Sequence, residues 1–479
     1  MRFWGVVLVA IIAMAGPARA ETYEQLKKWC YGKATDEQSL HGCAAVIAAD
    51  REAKTDIAVA LLNRSLAFRN IGEIDRAIAD LYRAVELRPI FPEALSARAG
   101  LRSAKGDLTR ALQDYDLAIR QQPTFEDAIH NRGTVRAALK DYDRAIADYD
   151  LAIKLAPRDP FPYSSRGNAW FNKGEVQRAL QDYTRALVLK PDHLPALYNR
   201  GRVYATLGAY ERALADFTAA LAVKEDFDTL MSRAFLRLLR HDYELAIADY
   251  DRAVRVNPTS AVAYNDRGKA HGRMDEIDLA IVDFNQALRL QPDYLEALNN
   301  RGLAYKAKEE FDLAFADFDQ SVKLRSDYAP AFFSRGLTFE AMRMYEPAIR
   351  AYDRAIALKP DEAAWLSQRC AARAKIGRLD AALDDCNRSL SLETANATTL
   401  DRRALVHLKL GRYETAIADY DAALRLAPAT AELLFCRGVG RRAVGNMSGA
   451  ETDFALARKI NPDIADEMMK LGVSSELLR

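Results

Sequence analysis

Residues 131–157 read NRGTVRAALKDYDRAIADYDLAIKLAP, and the pattern of this stretch recurs along most of the chain. Every copy carries an arginine followed by a small residue, and successive small residues lie 34 positions apart except for one step of 33. A fixed period of this length predicts an array of structural repeats, because a unit this small buries its core only against neighbours. The small residues that mark the twelve copies are Ser65, Ala99, Gly133, Gly167, Gly201, Ala234, Gly268, Gly302, Gly336, Cys370, Ala404 and Gly438.

The residue types at fixed positions predict two helices in each repeat. We number each unit from 1 to 34, with the arginine at position 7 and the small residue at position 8. Position 20 is alanine in all twelve copies, position 27 is alanine or serine, and position 24 is aromatic in ten. Apolar residues one turn apart indicate helices rather than strands. Proline at position 32 in nine copies ends the second helix, because it lacks the N–H that the next turn requires.

This pattern resembles the tetratricopeptide repeat (TPR) family over residues 58–464. The resemblance implies an all-α fold, a right-handed α–α superhelix (a TPR solenoid) of twelve helix-turn-helix repeats whose concave inner face binds partners. Residues 21–57 and 465–479 are expected to cap the two ends with helices. The length of 479 residues alone would suggest about three domains. The repeats instead indicate one array that grows by repetition.

The composition excludes several classes of protein. The chain has 68 Lys+Arg and 67 Asp+Glu, a formal charge of +1, and half of its residues are hydrophobic. That is too apolar for a disordered chain, and a nucleic-acid-binding protein would show a surplus of basic residues. We therefore expect no nucleic-acid partner.

The first twenty residues predict export. Arg2 precedes an apolar run, Val6–Ala15, and Ala18 and Ala20 have the small-x-small spacing of a cleavage site. The run is too short to span a bilayer, which takes about 20 residues. We interpret residues 1–20 as a signal peptide cut after Ala20, against the alternative of an uncleaved anchor. The mature chain would then be a periplasmic or secreted bacterial protein without a membrane span.

Export changes the interpretation of the five cysteines, since disulfides persist outside the cytosol. The economical pairing joins Cys30 to Cys43 and Cys370 to Cys386 and leaves Cys436 free. A metal site is the competing interpretation, but no CxxC or Cys/His cluster supports it. Within the TPR pattern, Cys370 and Cys386 replace the small and aromatic residues on facing helices of repeat ten. This substitution favours a disulfide within the repeat over two buried thiols.

The charged residues of the repeat have two possible roles. Position 7 is arginine in all twelve copies, and position 23 is aspartate in eleven, with Ala351 the exception. The arginines could form a ladder for an anionic ligand, or each could pair with an aspartate that ties the two helices together. Because the aspartate accompanies the arginine so regularly, we predict that most guanidinium groups bond to a position-23 carboxylate.

Partner binding is expected where the repeats differ, on the first helices. In some TPR superhelices, asparagines at position 6 hold the backbone of an extended peptide, because one amide offers both a donor and an acceptor. The ladder is incomplete here, and asparagine tolerated at a solvated position is the alternative. Neighbouring positions add aromatic and polar groups, among them Phe171. The candidate partner-binding residues are Asn63, Asn131, Asn199, Asn300, Tyr198, Arg202 and Asn168.

The sequence contains no GxSxG, HExxH or phosphate-loop motif, and its six histidines fall at unrelated repeat positions. We therefore predict a protein that is not an enzyme and needs no cofactor or metal. The first hypothesis is a scaffold or adaptor of the bacterial cell envelope that binds an extended peptide or partner surface in the concave groove. The second is a structural subunit of a secretion or polysaccharide-export complex that uses its convex or end surfaces.

Overall fold

The computed structural model describes residues 21–428 and 430–470, with the backbone alone for 469 and 470. The proposed signal peptide and residues 471–479 of the proposed C-terminal cap lie outside the described residues. Every regular element in the described part of the chain is an α-helix, and there are 27 of them. The all-α prediction is confirmed. None of the described helices is long and apolar enough to cross a membrane.

The helices form two compact units, and the boundary between the units lies between Glu225 and Asp226. This boundary coincides with the end of the fifth repeat, which is one residue short and has Glu225 in place of the usual proline. The helices of unit 1 are α1 (Tyr23–Tyr31), α2 (Asp36–Ala49), α3 (Lys54–Asn70), α4 (Ile74–Leu87), α5 (Pro92–Ala104), α6 (Leu108–Gln121), α7 (Glu126–Ala138), α8 (Tyr142–Leu155), α9 (Pro160–Asn172), α10 (Val176–Leu189), α11 (Leu194–Thr206) and α12 (Tyr210–Val223).

Unit 2 continues the same alternation of a first and a second helix in each repeat and ends with one short helix. Its helices are α13 (Phe227–Leu239), α14 (Tyr243–Val256), α15 (Ala261–Arg273), α16 (Ile277–Leu290), α17 (Leu295–Ala307), α18 (Phe311–Leu324), α19 (Ala329–Ala341), α20 (Tyr345–Leu358), α21 (Ala363–Lys375), α22 (Leu379–Leu392), α23 (Ala397–Lys409), α24 (Tyr413–Leu426), α25 (Ala431–Ala443), α26 (Met447–Ile460) and α27 (Ile464–Lys470).

The small residue at position 8 allows the two helices of a hairpin to pack closely. In repeat five, a Cβ added to Gly201 would lie 2.8 Å from Cε1 of Phe217, the buried aromatic residue at position 24. Ala213 and Ala220, at positions 20 and 27, are also buried. The core of this repeat is therefore an aromatic ring enclosed by alanines and a glycine, as the pattern predicts.

The arginine–aspartate prediction is confirmed in eleven of the twelve repeats. In repeat four, Arg166 Nε donates to Asp182 Oδ2 at 2.8 Å and Nη2 donates to Asp182 Oδ1 at 2.7 Å. The remaining nitrogen, Nη1, reaches Asp150 of the preceding repeat at 2.5 Å. One guanidinium thus ties together the helices of its own repeat and the second helix of the repeat before it. The exception is Arg335, which lacks the position-23 carboxylate and donates to Asp319 alone.

The described part of each cap is helical. Helices α1 and α2 pack against α3 at the start of the array, and a disulfide joins Cys30 to Cys43, whose Cα atoms are 4.5 Å apart. At the other end α27 packs its buried residues Ile464 and Met468 against the last hairpin. The second disulfide joins Cys370 to Cys386 within repeat ten, and Cys436 is buried and free.

Candidate functional site

The first helices of neighbouring repeats lie side by side, and we call the surface that they form in each unit the first-helix face. Two of the four position-6 asparagines already have protein partners there. Asn63 Nδ2 donates to the carbonyl oxygen of Cys30 at 3.0 Å, so this amide fastens the N-terminal cap. Asn300 Nδ2 donates to Asn265 Oδ1 at 3.0 Å. These two asparagines therefore serve contacts between helices.

Asn131 and Asn199 have a different environment. Asn131 is exposed on α7, and Asn199 is half-buried on α11. Asn199 lies in a cleft of about 260 Å³ in unit 1, which we call the amide cleft. Its lining is formed by Asn168, Phe171, Asn172, Tyr183, Asn199 and Arg202. Three of the predicted partner-binding residues thus come together, contributed by the first helices of repeats four and five.

A buried tyrosine orients one side of the amide cleft. The hydroxyl of Tyr183 donates to Asn168 Oδ1 at 2.6 Å, and burial raises the pKa of Tyr183, so the hydroxyl keeps its proton. Because the carbonyl side of the Asn168 amide is held in this way, its Nδ2 donors are available to a ligand. The tyrosine ring comes from position 24, which is aromatic in ten of the twelve repeats, so a core residue of the repeat also sets the geometry of the site.

The opposite side of the amide cleft carries a cation. Arg202 is exposed on α11, and its guanidinium lies 5.7 Å from the ring centroid of Tyr198. Among the described residues, no carboxylate lies within 4.0 Å of this guanidinium, in contrast to the position-7 arginines. A stacked arginine with free donors can bind a carboxylate or a peptide carbonyl oxygen.

The chemistry of the amide cleft suits binding rather than catalysis. Its lining supplies three amides, one guanidinium, one phenol and the ring of Phe171, and it contains no carboxylate, imidazole or thiol. Amides match the alternating N–H and C=O groups of a peptide backbone. In the described part of the chain, no group of three or more His, Cys, Asp or Glu residues is placed to hold a metal ion.

Sequence reasoning missed two members of the amide cleft. Asn172 lies at position 13, four residues after Asn168, and therefore on the same helical face one turn further on. That spacing was the available signal. The contribution of Tyr183 had no such signal, because the pattern assigned position 24 to the core and the hydroxyl reaches the cleft only in the folded hairpin.

Comparison with known proteins identifies the family. Models described as tetratricopeptide repeat or TPR repeat match residues 48–124, 126–159, 167–239, 239–275, 265–329, 329–362 and 397–430. Together these matches extend over more than half of the sequence and follow the hairpins described above. The chain belongs to the tetratricopeptide repeat family, a class of protein-interaction scaffolds. No curated protein matches the chain.

Several solved structures are similar to this chain. YrrB, described as a TPR protein with an unusual peptide-binding site, is 26% identical, covers 38% of this chain and 95% of its own, and has a TM-score of 0.36. The Cut9–Hcn1 heterotetramer of APC/C is 14% identical over 92% of this chain and 94% of that one, with a TM-score of 0.46. Yeast Tom70 is 14% identical over 87% and 99%, with a TM-score of 0.44.

Proposed function

We propose that this protein is a non-catalytic scaffold of the bacterial cell envelope that captures an extended segment of a partner protein on its first-helix face. The observation that carries the proposal is the amide cleft, where Tyr183 orients Asn168 beside Asn199 and Arg202. An extended segment in this cleft would receive hydrogen bonds to its backbone from the amides. Arg202 would bind a carboxylate or carbonyl oxygen of the same segment.

Replacing Asn168, Asn199 and Arg202 together by alanine tests this proposal. The matched control is Arg144→Ala, because Arg144 is 75% exposed on the second helix α8, outside the cleft. Partners are captured from the periplasmic fraction and their affinity for each variant is measured. We expect the triple variant to lose about tenfold or more in affinity, as for hot-spot residues, and the control to match the wild type. If the triple variant has normal helicity and unchanged affinity for the partner, the proposal that the amide cleft captures the partner is refuted.

The envelope location is the second part of the proposal. It rests on the signal-like residues 1–20 and on the two disulfides, which an oxidising compartment would maintain. Sequencing the amino terminus of the protein purified from its natural cells tests it directly. We expect the mature chain to begin at Glu21, and an intact Met1 in a cytosolic fraction would refute export.

A specific observation favours a second candidate, a structural subunit that assembles through its second helices. Position 19 is arginine in the first five repeats, but in the next three it is Leu245, Leu279 and Leu313. These leucines are 53%, 50% and 48% exposed, so three consecutive repeats of unit 2 present apolar side chains to solvent. Replacing all three by glutamine should abolish complex assembly under this hypothesis and leave capture at the amide cleft unchanged.

A further inference from the structure

We infer that unit 2 carries a second docking groove, whose occupant is an acidic protein segment with one large apolar anchor residue. The inference deepens the proposed scaffold function and rests on it. The groove has a volume of about 740 Å³ and lies across the first helices of repeats six to eight, α13, α15 and α17. We call it the apolar groove, and its apolar and small lining residues include Phe235, Leu239, Gly272, Ile277, Leu303 and Ala307.

The apolar walls of this groove are open to solvent. Phe235 and Leu239, on α13, are 47% and 48% exposed although both are large hydrophobic residues. They face a concave site of a size that holds small ligands or several peptide side chains. An apolar anchor that enters the groove would remove these surfaces from water, which is the main favourable contribution to most protein associations.

Gly272 deepens the floor of the apolar groove, although neither the backbone conformation nor the packing of the helices requires a glycine there. Its backbone is ordinary right-handed helix, and a Cβ added there would meet only the Cβ of Ala280, at 4.0 Å. By contrast, a Cβ at Gly268 on the same helix would lie 2.8 Å from the Phe284 ring. The other eleven repeats carry a side chain at the position of Gly272, which is position 12. Glycine in a helix is less stable than alanine. We therefore attribute the glycine at this position to the open space that it leaves in the groove.

The charges around the groove define the chemistry of its occupant. Lys269, Arg273 and Lys306 lie in its lining, which contains no aspartate or glutamate. Lys269 pairs with Asp266 at 3.1 Å. Within the described residues, Arg273 and Lys306 have no carboxylate within 4.0 Å, and Lys306 is half-buried. Two unpaired cations beside an apolar floor complement a segment in which carboxylates flank an apolar side chain.

Asn300 adds the feature that favours a protein segment over an anionic lipid. Its Nδ2 is bonded to Asn265, which leaves the carbonyl oxygen of the Asn300 amide in the groove lining as an acceptor. A peptide offers a backbone N–H donor to such an acceptor at almost every residue, whereas in a phosphatidylglycerol lipid the phosphodiester only accepts and the two glycerol hydroxyls are the sole headgroup donors. The occupant is therefore a peptide segment with carboxylates on both sides of a leucine or phenylalanine.

A peptide library tests the inference on the full chain. The probes are blocked nonapeptides with Phe, Leu or Gly at the centre and Asp, Gln or Lys at the flanking positions. The wild type is compared with Gly272→Leu, which fills the groove, with Gly272→Ala as the matched control, and with Lys306→Gln. Circular dichroism and thermal melting verify folding, which both Gly272 substitutions are expected to preserve because the added atoms enter open space.

The inference predicts enrichment of peptides with Phe or Leu at the centre and Asp at the flanks. Gly272→Leu should weaken the enriched peptides about tenfold or more, whereas Gly272→Ala should stay within about twofold of the wild type. Lys306→Gln should weaken binding about threefold or more and reduce its dependence on salt. Each of these results supports the inference.

Three results would overturn it: no peptide retained above background, enrichment of basic or anchor-free peptides, or equal binding by wild type and Gly272→Leu. Binding to phosphatidylglycerol vesicles that Gly272→Leu abolishes, without peptide binding, would also overturn it in favour of a lipid site. The triple variant of the amide cleft is measured in parallel. If that variant loses its partner while Gly272→Leu has no effect on peptides, the inference fails and the proposed function stands. If neither variant affects binding of any peptide or partner, both fail.

Discussion

The arginine of each repeat should stabilise its hairpin in proportion to the carboxylates that surround it, and two adjacent repeats differ in that respect. Arg301 donates from Nε and Nη2 to Asp317 at 2.8 and 2.5 Å, and from Nη1 to Asn285 at 2.6 Å. Arg335, 34 residues on, donates only to Asp319. The side chain of Asp317 is 5% exposed, whereas that of Asp319 is 60% exposed. The chain therefore contains its own matched control.

Methionine replaces the arginine in both variants, because it keeps an unbranched apolar stem in the same space. Arg301→Met leaves the buried carboxylate of Asp317 without its counter-ion, which for buried pairs costs about 3–5 kcal/mol. Because Arg301 itself is 20% exposed, we expect the lower end, about 3 kcal/mol. Arg335→Met removes a solvent-exposed pair, worth about 0–1 kcal/mol.

Hydrogen exchange measured by mass spectrometry is the suitable assay, since an array of repeats opens locally and a single global transition would average the effect. Loss of about 3 kcal/mol should speed exchange of the amides of α17 and α18 about 100-fold in Arg301→Met. The amides of α19 and α20 should speed up less than about fivefold in Arg335→Met. Equal acceleration in the two variants, or less than about threefold in Arg301→Met, would refute the pairing as the source of stability.

Further predictions concern stability. Ala351→Asp should supply the missing carboxylate to Arg335 and slow amide exchange in α19 and α20 by about tenfold, equivalent to about 1.5 kcal/mol for one charge-assisted hydrogen bond; faster exchange would show that repeat nine cannot accept the pair. Glu126 has a buried Oε1 without a hydrogen-bond partner. Its pKa is raised from 4.5 to about 7, mainly by burial and secondly by the negative charge of Asp159. Because the folded pKa lies above the unfolded one, the stability contributed at low pH is lost as the pH rises from about 4.5 to about 7. Glu126→Gln should therefore stabilise the protein at pH 8, change little at pH 4 and flatten the pH dependence of urea unfolding; an unchanged pH dependence would contradict this. Replacing Cys370 and Cys386 by serine should speed exchange in α21 and α22 under oxidising conditions, because a crosslink over a loop of this length is worth up to about 3 kcal/mol; identical exchange in both proteins would show that the bond adds no stability.

The periodicity of the sequence was sufficient to predict the hairpins, because similar residue types recur at the same positions and pack in the same way in each repeat. The first helices of repeats two to twelve begin at position 1, as at Glu126 and Leu295, whereas α3 begins four residues earlier, at Lys54. The position-7 arginines bond to their aspartates in the eleven repeats that have one. The division into two units was not predicted. The short fifth repeat and the missing proline at Glu225 mark it in the sequence, but their effect on packing depends on the helices around them.

The candidate site could be predicted only in part, because it depends on which neighbours an exposed side chain meets. Asn300 and Asn199 occupy the same repeat position, yet only Asn300 finds an amide partner on the preceding first helix, at Asn265. The grouping of Asn199 with Asn168 follows from the stacking of α9 and α11, which the repeat pattern does imply. The apolar groove could not be predicted, because Gly272 lies at a position that varies from repeat to repeat and the open space beside it depends on the neighbouring helices.

Site-specific photo-crosslinking tests most directly the central claim that the first-helix face receives the partner. A benzoylphenylalanine replaces Phe171 in the amide cleft in one variant and Val188, which is 66% exposed on the second helix α10, in the other. Both variants are irradiated in the cells that naturally produce the protein. The account predicts a covalent adduct with a partner protein from position 171 and none from position 188. An adduct from position 188 without one from position 171 would contradict it.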